Sequence, residues 1–203
     1  PDPSAIGGCT DSSANNYSEL ADYDDGSCLY PGANCGDAYQ IPGLPFDFSG
    51  TTAGYADDYS SSVCWNSYIG GDDWVAKLTL SEDVLLSGSI SGNYVGMHIT
   101  RDCIDIATTC YGIAAGSSGG QLNNILFTAG TYFVTVSTWP SPQATTFDLS
   151  LSAVPAVYGC TDQNATNFDE LANTTCADDD GDGSPDCCEY PADCTDYIVT
   201  MSD

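Results

Sequence analysis

Positive charge is almost absent from this 203-residue chain. Lys77 and Arg101 are its only basic side chains, against 29 Asp and Glu, for a formal net charge of −27. Such a polyanion repels phosphate, which argues against nucleic acid and anionic lipid as partners and favours cations. Histidine is nearly missing too: His98 is the single one. A Cys/His zinc site therefore has no second imidazole, and Ser-His chemistry has one candidate base. No apolar run approaches the roughly 18 residues of a membrane span, so no helical insertion is expected. No segment carries a 3.6-residue apolar stripe over three turns, which leaves a helix without a face to bury. No signal peptide is visible at Pro1-Asp2-Pro3, as expected of a mature or excised form of an exported protein.

Cysteine, by contrast, is abundant. Eleven cysteines spread along the whole chain. That density belongs to an oxidising compartment and a disulfide framework, and so to a secreted or cell-surface protein. The chain also starts to repeat itself. Gly8-Cys9-Thr10-Asp11 returns as Gly159-Cys160-Thr161-Asp162, Asn16 as Asn167, and Glu19-Leu20-Ala21 as Glu170-Leu171-Ala172. Cys28-Leu29-Tyr30-Pro31 returns as Cys188-Glu189-Tyr190-Pro191. A self-match of this length marks a modular array. It divides the chain into a small Cys/Asp module at 1–33, a large domain at 34–155, a second small module at 156–191 and a strand-like tail at 192–203. N-x-S/T sequons at Asn16, Asn164 and Asn173 all fall in the small modules.

Between 34 and 155, short alternating segments are separated by Gly, Ser, Asn and Asp. Trp74–Leu80 sets Trp74, Ala76, Leu78 and Leu80 on one face and Lys77 and Thr79 on the other. Val84–Ile90, Tyr94–Thr100, Thr131–Thr138 and Thr146–Ser152 alternate in the same way. This patterning, with turn residues every 8–12 positions or roughly so, predicts an antiparallel β-sandwich. A domain of about 120 residues is large enough to bury a core.

The stretches Gly71-Asp72-Asp73-Trp74-Val75-Ala76-Lys77-Leu78, Val84-Leu85-Leu86-Ser87-Gly88-Ser89 and Thr128–Val136, closed by Thr146-Phe147-Asp148-Leu149-Ser150-Leu151, resemble the bacterial pre-peptidase C-terminal domain. The resemblance implies a jelly-roll-like sandwich, a non-catalytic accessory role, and Asp72 and Asp73 as candidate metal ligands. The small modules, with Gly-Cys-Thr-Asp and Asp-Asp-Gly-Ser-Cys, resemble a short repeat of secreted proteins from marine and gliding bacteria. The expected fold class is therefore all-β: a jelly-roll-like antiparallel sandwich flanked by two small modules stabilised by disulfides and calcium.

Calcium is expected at two places. A module this small cannot support its own core. In the first copy, Asp11, Asn16, Asp22, Asp24 and Asp25 could gather oxygens around a calcium ion, which takes 6–8 hard ligands or about that number and tolerates irregular loops. The same residues also suit Asx-turns and caps with no metal. The second copy carries the fuller motif, D-x-[DN]-x-[DN]-G-x₅-E. Asp178, Asp180 and Asp182 take its first alternate positions, Gly183 the sharp turn, Ser184 a backbone carbonyl, and Asp186 and Glu189 the closing ligands. Pro185 stands where the motif has an apolar residue, and no helices flank the loop, so it resembles a thrombospondin type 3 repeat more than a paired EF-hand.

Expected disulfides are Cys9–Cys28, Cys160–Cys188 and Cys176–Cys187 in the modules, with Cys103–Cys110 and Cys35–Cys64 in the sandwich. The Cys9–Cys28 bridge closes about 20 residues, worth roughly 3 kcal/mol in the chain-entropy model. Cys194 remains unpaired. It corresponds to Cys35, and the β-prone tail that follows, Thr195–Met201, either opens a further sandwich or joins a neighbouring copy by strand addition. No catalytic set stands out. Gly116-Ser117-Ser118-Gly119-Gly120 matches G-x-S-x-G only formally, and His98 reads as a polar-face strand residue. The leading expectation is a non-enzymatic, calcium-stabilised structural protomer of an extracellular filament or adhesin array, assembled head to tail through 192–203. The alternative is a glycan- or substrate-binding accessory module of a secreted hydrolase, its sugar-stacking surfaces drawn from 13 tyrosines and three tryptophans.

Overall fold

The computed structural model describes residues 4–12, 14, 16–64, 67–177 and 185–191. The chain divides into two compact units, Pro1–Val154 and Pro155–Asp203. Among the described residues all regular structure is β. The strands are β1 (Gly7–Gly8), β2 (Tyr23–Asp24), β3 (Tyr39–Gln40), β4 (Phe46–Thr51), β5 (Trp74–Leu80), β6 (Val84–Gly92), β7 (Val95–Thr100), β8 (Cys110–Gly116), β9 (Gly119–Phe127), β10 (Gly130–Thr138) and β11 (Thr146–Pro155).

The long strands nest as a hairpin folded over on itself. β4 lies beside β11, β5 beside β10, β6 beside β9 and β7 beside β8. The resulting sheets have the orders β3-β5-β10-β7-β8 and β4-β11-β6-β9. Leaving out the short parallel addition β3, this is the eight-stranded jelly roll. Alternation supplies the core. Trp74, Ala76, Leu78, Met97, Ile99, Tyr132, Val134 and Val136 from one sheet meet Leu86, Ile90, Phe127, Phe147, Leu149 and Leu151 from the other.

The five alternating segments read in the sequence are all strands. β4, β8 and β9 are additions, for physical reasons. β8 and β9 are rich in Gly, Ala and Asn (Gly112, Gly116, Asn123, Asn124), which blunts the period-2 signal. Gly119, at φ +96°, lets the turn between them pass so close to Ile90 O that a Cβ there would lie 1.9 Å from it. The Gly/Ser-rich stretch is thus a hairpin turn.

The five-stranded sheet is buried on both faces. Its outer face holds Val75, His98, Thr100, Thr135 and Ser137, all 0% exposed. The cover is the irregular segment between β4 and β5, with Tyr59 and Ile69 packing on Val75, Ile104 and Ala38. Two disulfides fasten this layer, and both correct the expected pairs. Cys35 bonds Cys103, not Cys64. Cys64 bonds Cys110, at the start of β8. Nearness in sequence misled for Cys103–Cys110, because Cys103 turns toward Tyr59, whose hydroxyl lies 3.3 Å from its sulfur, while Cys110 stays in the ladder opposite Thr100. The covering segment then carries Cys64 across to β8.

The chain leading out of the first small module is stitched to the sandwich at Gly32. Its carbonyl accepts Val75 N–H at 2.8 Å, and its own N–H donates to Asp37 O at 2.7 Å. Gly32 sits at φ +100°, and a Cβ there would fall 2.4 Å from Trp74 Nε1. That indole is 1% exposed, stacked on Phe48 at 4.7 Å and tilted against Phe147 at 5.4 Å. Gly32→Ala therefore combines a strained backbone with displacement of the largest core side chain. Urea denaturation should show a loss of at least about 2 kcal/mol.

Candidate metal-binding modules and the loop clamp

The first small module is built from side chains that reach backbone groups. Asn16 Nδ2 donates to Ser27 O at 2.6 Å, and its Oδ1 accepts Leu29 N–H at 2.7 Å, so one amide fixes the approach to Cys28. Asp22 Oδ2 accepts Ile6 N–H, Asp24 Oδ1 accepts Gly26 N–H and Asp25 Oδ1 accepts Ser27 N–H, all between 2.9 and 3.0 Å. Asp11 Oδ2 accepts the Tyr30 hydroxyl at 2.9 Å. The hydrogen bond to Asp11 raises the Tyr30 pKa, and the two bonds from Ser27 lower that of Asp25. The Cys9–Cys28 bridge closes the module as expected. The five residues put forward as ligands therefore sit in one small module, each engaged with a neighbouring group. Among the described residues, no three His, Cys, Asp or Glu side chains converge on a point that could hold a metal.

The second module repeats the first bond for bond. Asn167 Nδ2 donates to Cys187 O at 2.8 Å and its Oδ1 accepts Glu189 N–H at 2.8 Å. Tyr190 donates to Asp162 Oδ2 at 2.8 Å, as Tyr30 does to Asp11. Asp169 N–H reaches Cys160 O at 2.9 Å, as Ser18 N–H reaches Cys9 O. Gly159 faces the Ala172 methyl as Gly8 faces that of Ala21. Asp162 is held below the ordinary carboxylate range, first by Asn164 N–H and then by Tyr190. Cys160–Cys188 and Cys176–Cys187 both form as expected. The copies differ after Cys176, where the second adds its acidic insertion. Asp178, Asp180, Asp182 and Ser184, like the tail with Cys194, lie outside the described residues. Asp186 and Glu189 are described, and both are exposed. The base of the insertion is closed, with Asp186 N–H donating to Ala177 O at 2.9 Å beside the Cys176–Cys187 bridge.

The sequons separate on the same grounds. The Asn16 amide is committed at both ends. Asn173 donates to Pro155 O and accepts from Val157 N–H. Asn164 is exposed and, among the described residues, bonds Asp162, two residues away.

Sequence reasoning missed the clamp that holds the covering segment. Asp73 is fully buried ahead of β5. Its Oδ2 accepts Asp58 N–H at 2.9 Å and Tyr59 N–H at 2.7 Å, while Oδ1 is buried without a partner. Ser137, beside it, commits its hydroxyl to Gly71 O at 3.1 Å. Burial pushes the carboxyl up to about 7, against the hydrogen bonds around it. Asp72, the other residue suggested by family resemblance, is bound by Gln143 Nε2 at 3.0 Å. On β7, His98 bonds Ser62 Oγ through Nδ1 and Tyr68 O through Nε2, each at 3.0 Å. A carbonyl can only accept, so Nε2 carries the proton and Nδ1 accepts from Ser62. Burial lowers the His98 pKa to about 4. The strand expected around His98 is present, but its polar face is dry because the covering segment lies on it. Ser118 stands in the exposed turn between β8 and β9, beyond the Val95–Gly116 pair, whereas His98 pairs with Ile113.

Comparison with known proteins finds only distant likenesses in fold. No protein-family profile and no curated protein matches the sequence. Among solved structures, the pre-peptidase C-terminal domain of a collagenase from Bacillus anthracis is similar at 14% identity and a TM-score of 0.41, over 56% of this chain and 92% of that one. The periplasmic inhibitor of g-type lysozyme from Aeromonas hydrophila is similar at 9% identity and a TM-score of 0.37, over 57% and 94%. The jelly-roll assignment rests on the strand pairing itself. The disulfide framework places the chain in an oxidising, exported setting.

The clamp makes stability depend on pH from both sides. The raised Asp73 pKa gives a contribution that is full below 3.8 and is lost as pH rises through about 7. The lowered His98 pKa gives one that is full above 6.5 and is lost as pH falls through about 4. Asp73→Asn keeps an acceptor for the two amides and removes the ionisation. Its melting temperature relative to the native chain should rise by several degrees between pH 4 and pH 8, measured by circular dichroism at each pH.

Proposed function

We propose that this chain is a non-enzymatic structural repeat unit of an extracellular, cell-surface array, in which rigid sandwiches alternate with small cross-linked, calcium-loaded modules. The observation that carries this reading is the bond-for-bond equivalence of the two small modules. A linker that only joined domains would not need to conserve an Asn amide spanning two backbone groups or a Tyr-Asp contact twice over. A repeated, covalently closed connector suits a chain built by stacking similar units.

Calcium belongs to this reading at the insertion of the second module. Asp178, Asp180, Asp182, the Ser184 carbonyl, Asp186 and Glu189 would hold it, and the ion would offset carboxylate repulsion in a loop without cationic side chains. The closed base of the insertion and the exposure of Asp186 and Glu189 suit such a site. In the first module, the amide contacts of Asp22, Asp24 and Asp25 favour the Asx-turn role over ligation. Assembly would run head to tail through 192–203, as the first strand of a further sandwich or as a strand added to a neighbouring copy, with Cys194 bridging as Cys35 does. β4 and β9 are edge strands that such an addition could extend.

Three measurements test the reading. Chelation should lower the melting temperature of the native chain by several degrees and leave Asp180→Asn, Asp182→Asn little changed. Negative-stain imaging of the purified chain should show linear oligomers, and non-reducing peptide mapping should find Cys194 bonded. Monodisperse single particles with a free Cys194 thiol would overturn the assembly.

A further inference from the structure

Three aromatic side chains meet at one end of the sandwich without belonging to either hydrophobic core. Tyr94 stands in the turn between β6 and β7, Trp139 just follows β10, and Tyr68 comes from the covering segment. Tyr94 and Trp139 are each 41% exposed. The Tyr68 and Tyr94 rings are near-parallel, 18° apart with centroids at 6.4 Å, and Trp139 meets Tyr68 edge-on at 5.7 Å. Three chain segments are thus brought together to present aromatic surface to water.

The backbone holds this arrangement in place. Tyr94 adopts φ +53°, a left-handed conformation that a bulky residue rarely takes. Its N–H donates to Ser117 O, and its carbonyl accepts both Trp139 N–H at 3.1 Å and Thr138 Oγ1 at 2.6 Å. Tyr68 is anchored through its carbonyl to His98. Glycine would suit the Tyr94 backbone better, so the ring comes at a conformational cost that the fold alone does not require.

The surface beside it narrows the choice of occupant. A groove of about 570 Å³ runs along the outer face of the four-stranded sheet, lined by Ser49, Thr51, Ser91, Gly92, Thr146 and Asp148. Its lining includes Gly92, two residues before Tyr94 in the chain, and between them Asn93 N–H is held by Thr145 Oγ1 at 3.2 Å. Hydroxyl groups along a groove and aromatic faces nearby match a ligand with apolar C–H faces and a hydroxylated rim. A net charge of −27 excludes a polyanion.

We propose that Tyr94, Trp139 and Tyr68 form a platform that binds a neutral polysaccharide, with the hydroxyl-lined groove taking the sugars beyond it. This adds a ligand to the structural role and stands whether or not the chain assembles.

Affinity electrophoresis of the full chain tests it, in gels containing hydroxyethylcellulose, glucomannan, xylan, laminarin or dextran, with a sulfated polysaccharide as the anionic comparison. At least one neutral gel should retard the native chain. Tyr94→Gly removes the ring and relieves the backbone, so it should keep or raise the melting temperature while weakening retardation at least about ten-fold. Trp139→Ala should weaken it to a similar degree. The proposal is overturned if no neutral gel retards the native chain, if both folded variants are retarded like it, or if only the sulfated gel retards it. Self-association lost in both variants, with no retardation by any neutral gel, would assign the rings to a second copy and overturn it equally.

Discussion

Carboxylates outnumber cations so heavily that ion pairing cannot satisfy them, and the structure uses backbone amides instead. Asp22, Asp24, Asp25, Asp83, Asp162 and Asp169 each accept a backbone N–H. Asp73 accepts two. Where the acceptor is ionised such bonds are stronger than neutral ones, and they order irregular chain where no ladder can form. The two basic side chains are spent sparingly. Arg101 lies over the Tyr111 and Tyr132 rings, with its centre 5.4 and 5.0 Å from theirs, and bonds the Tyr132 hydroxyl, Thr128 and Ala129 O. It ties the start of β10 to the end of β7.

This acidic economy suits a chain whose parts differ in how they hold together. The sandwich has a core of two facing sheets and a second, smaller core beneath the covering segment. The small modules have little apolar interior, and their order comes from disulfides, Asx contacts and one tyrosine-aspartate bond each. Cross-links limit how far an unfolded chain can spread, which matters most where burial contributes least. Such construction is compatible with the structural role proposed above, in which the aromatic platform is the surface proposed to engage a hydroxylated matrix.

Much of the sandwich was legible. Strands with strict alternation, such as Trp74–Leu80 and Thr146–Leu151, declare their inner face because every second residue is large and apolar. β8 and β9 were hidden because small residues line them. The module disulfides could be read because the repeat aligned Cys28 with Cys188. The sandwich disulfides could not, because their partners meet only once the segment between β4 and β5 folds over the sheet. The same fold-over turned His98 from a surface residue into a buried tether and drew Asp73 out of water.

By itself, the sequence determined the oxidised, all-β, modular character of this protein, since charge, cysteine count, alternation and repetition are properties of composition and local spacing. Only the tertiary structure decided which cysteines pair across the sandwich, which carboxyl is buried, and which tyrosines and tryptophan share a surface. Those outcomes depend on groups far apart in the chain being brought within bonding distance. That proximity arises from sheet order and from the path of an irregular segment, and neither leaves a periodic trace in the residues themselves.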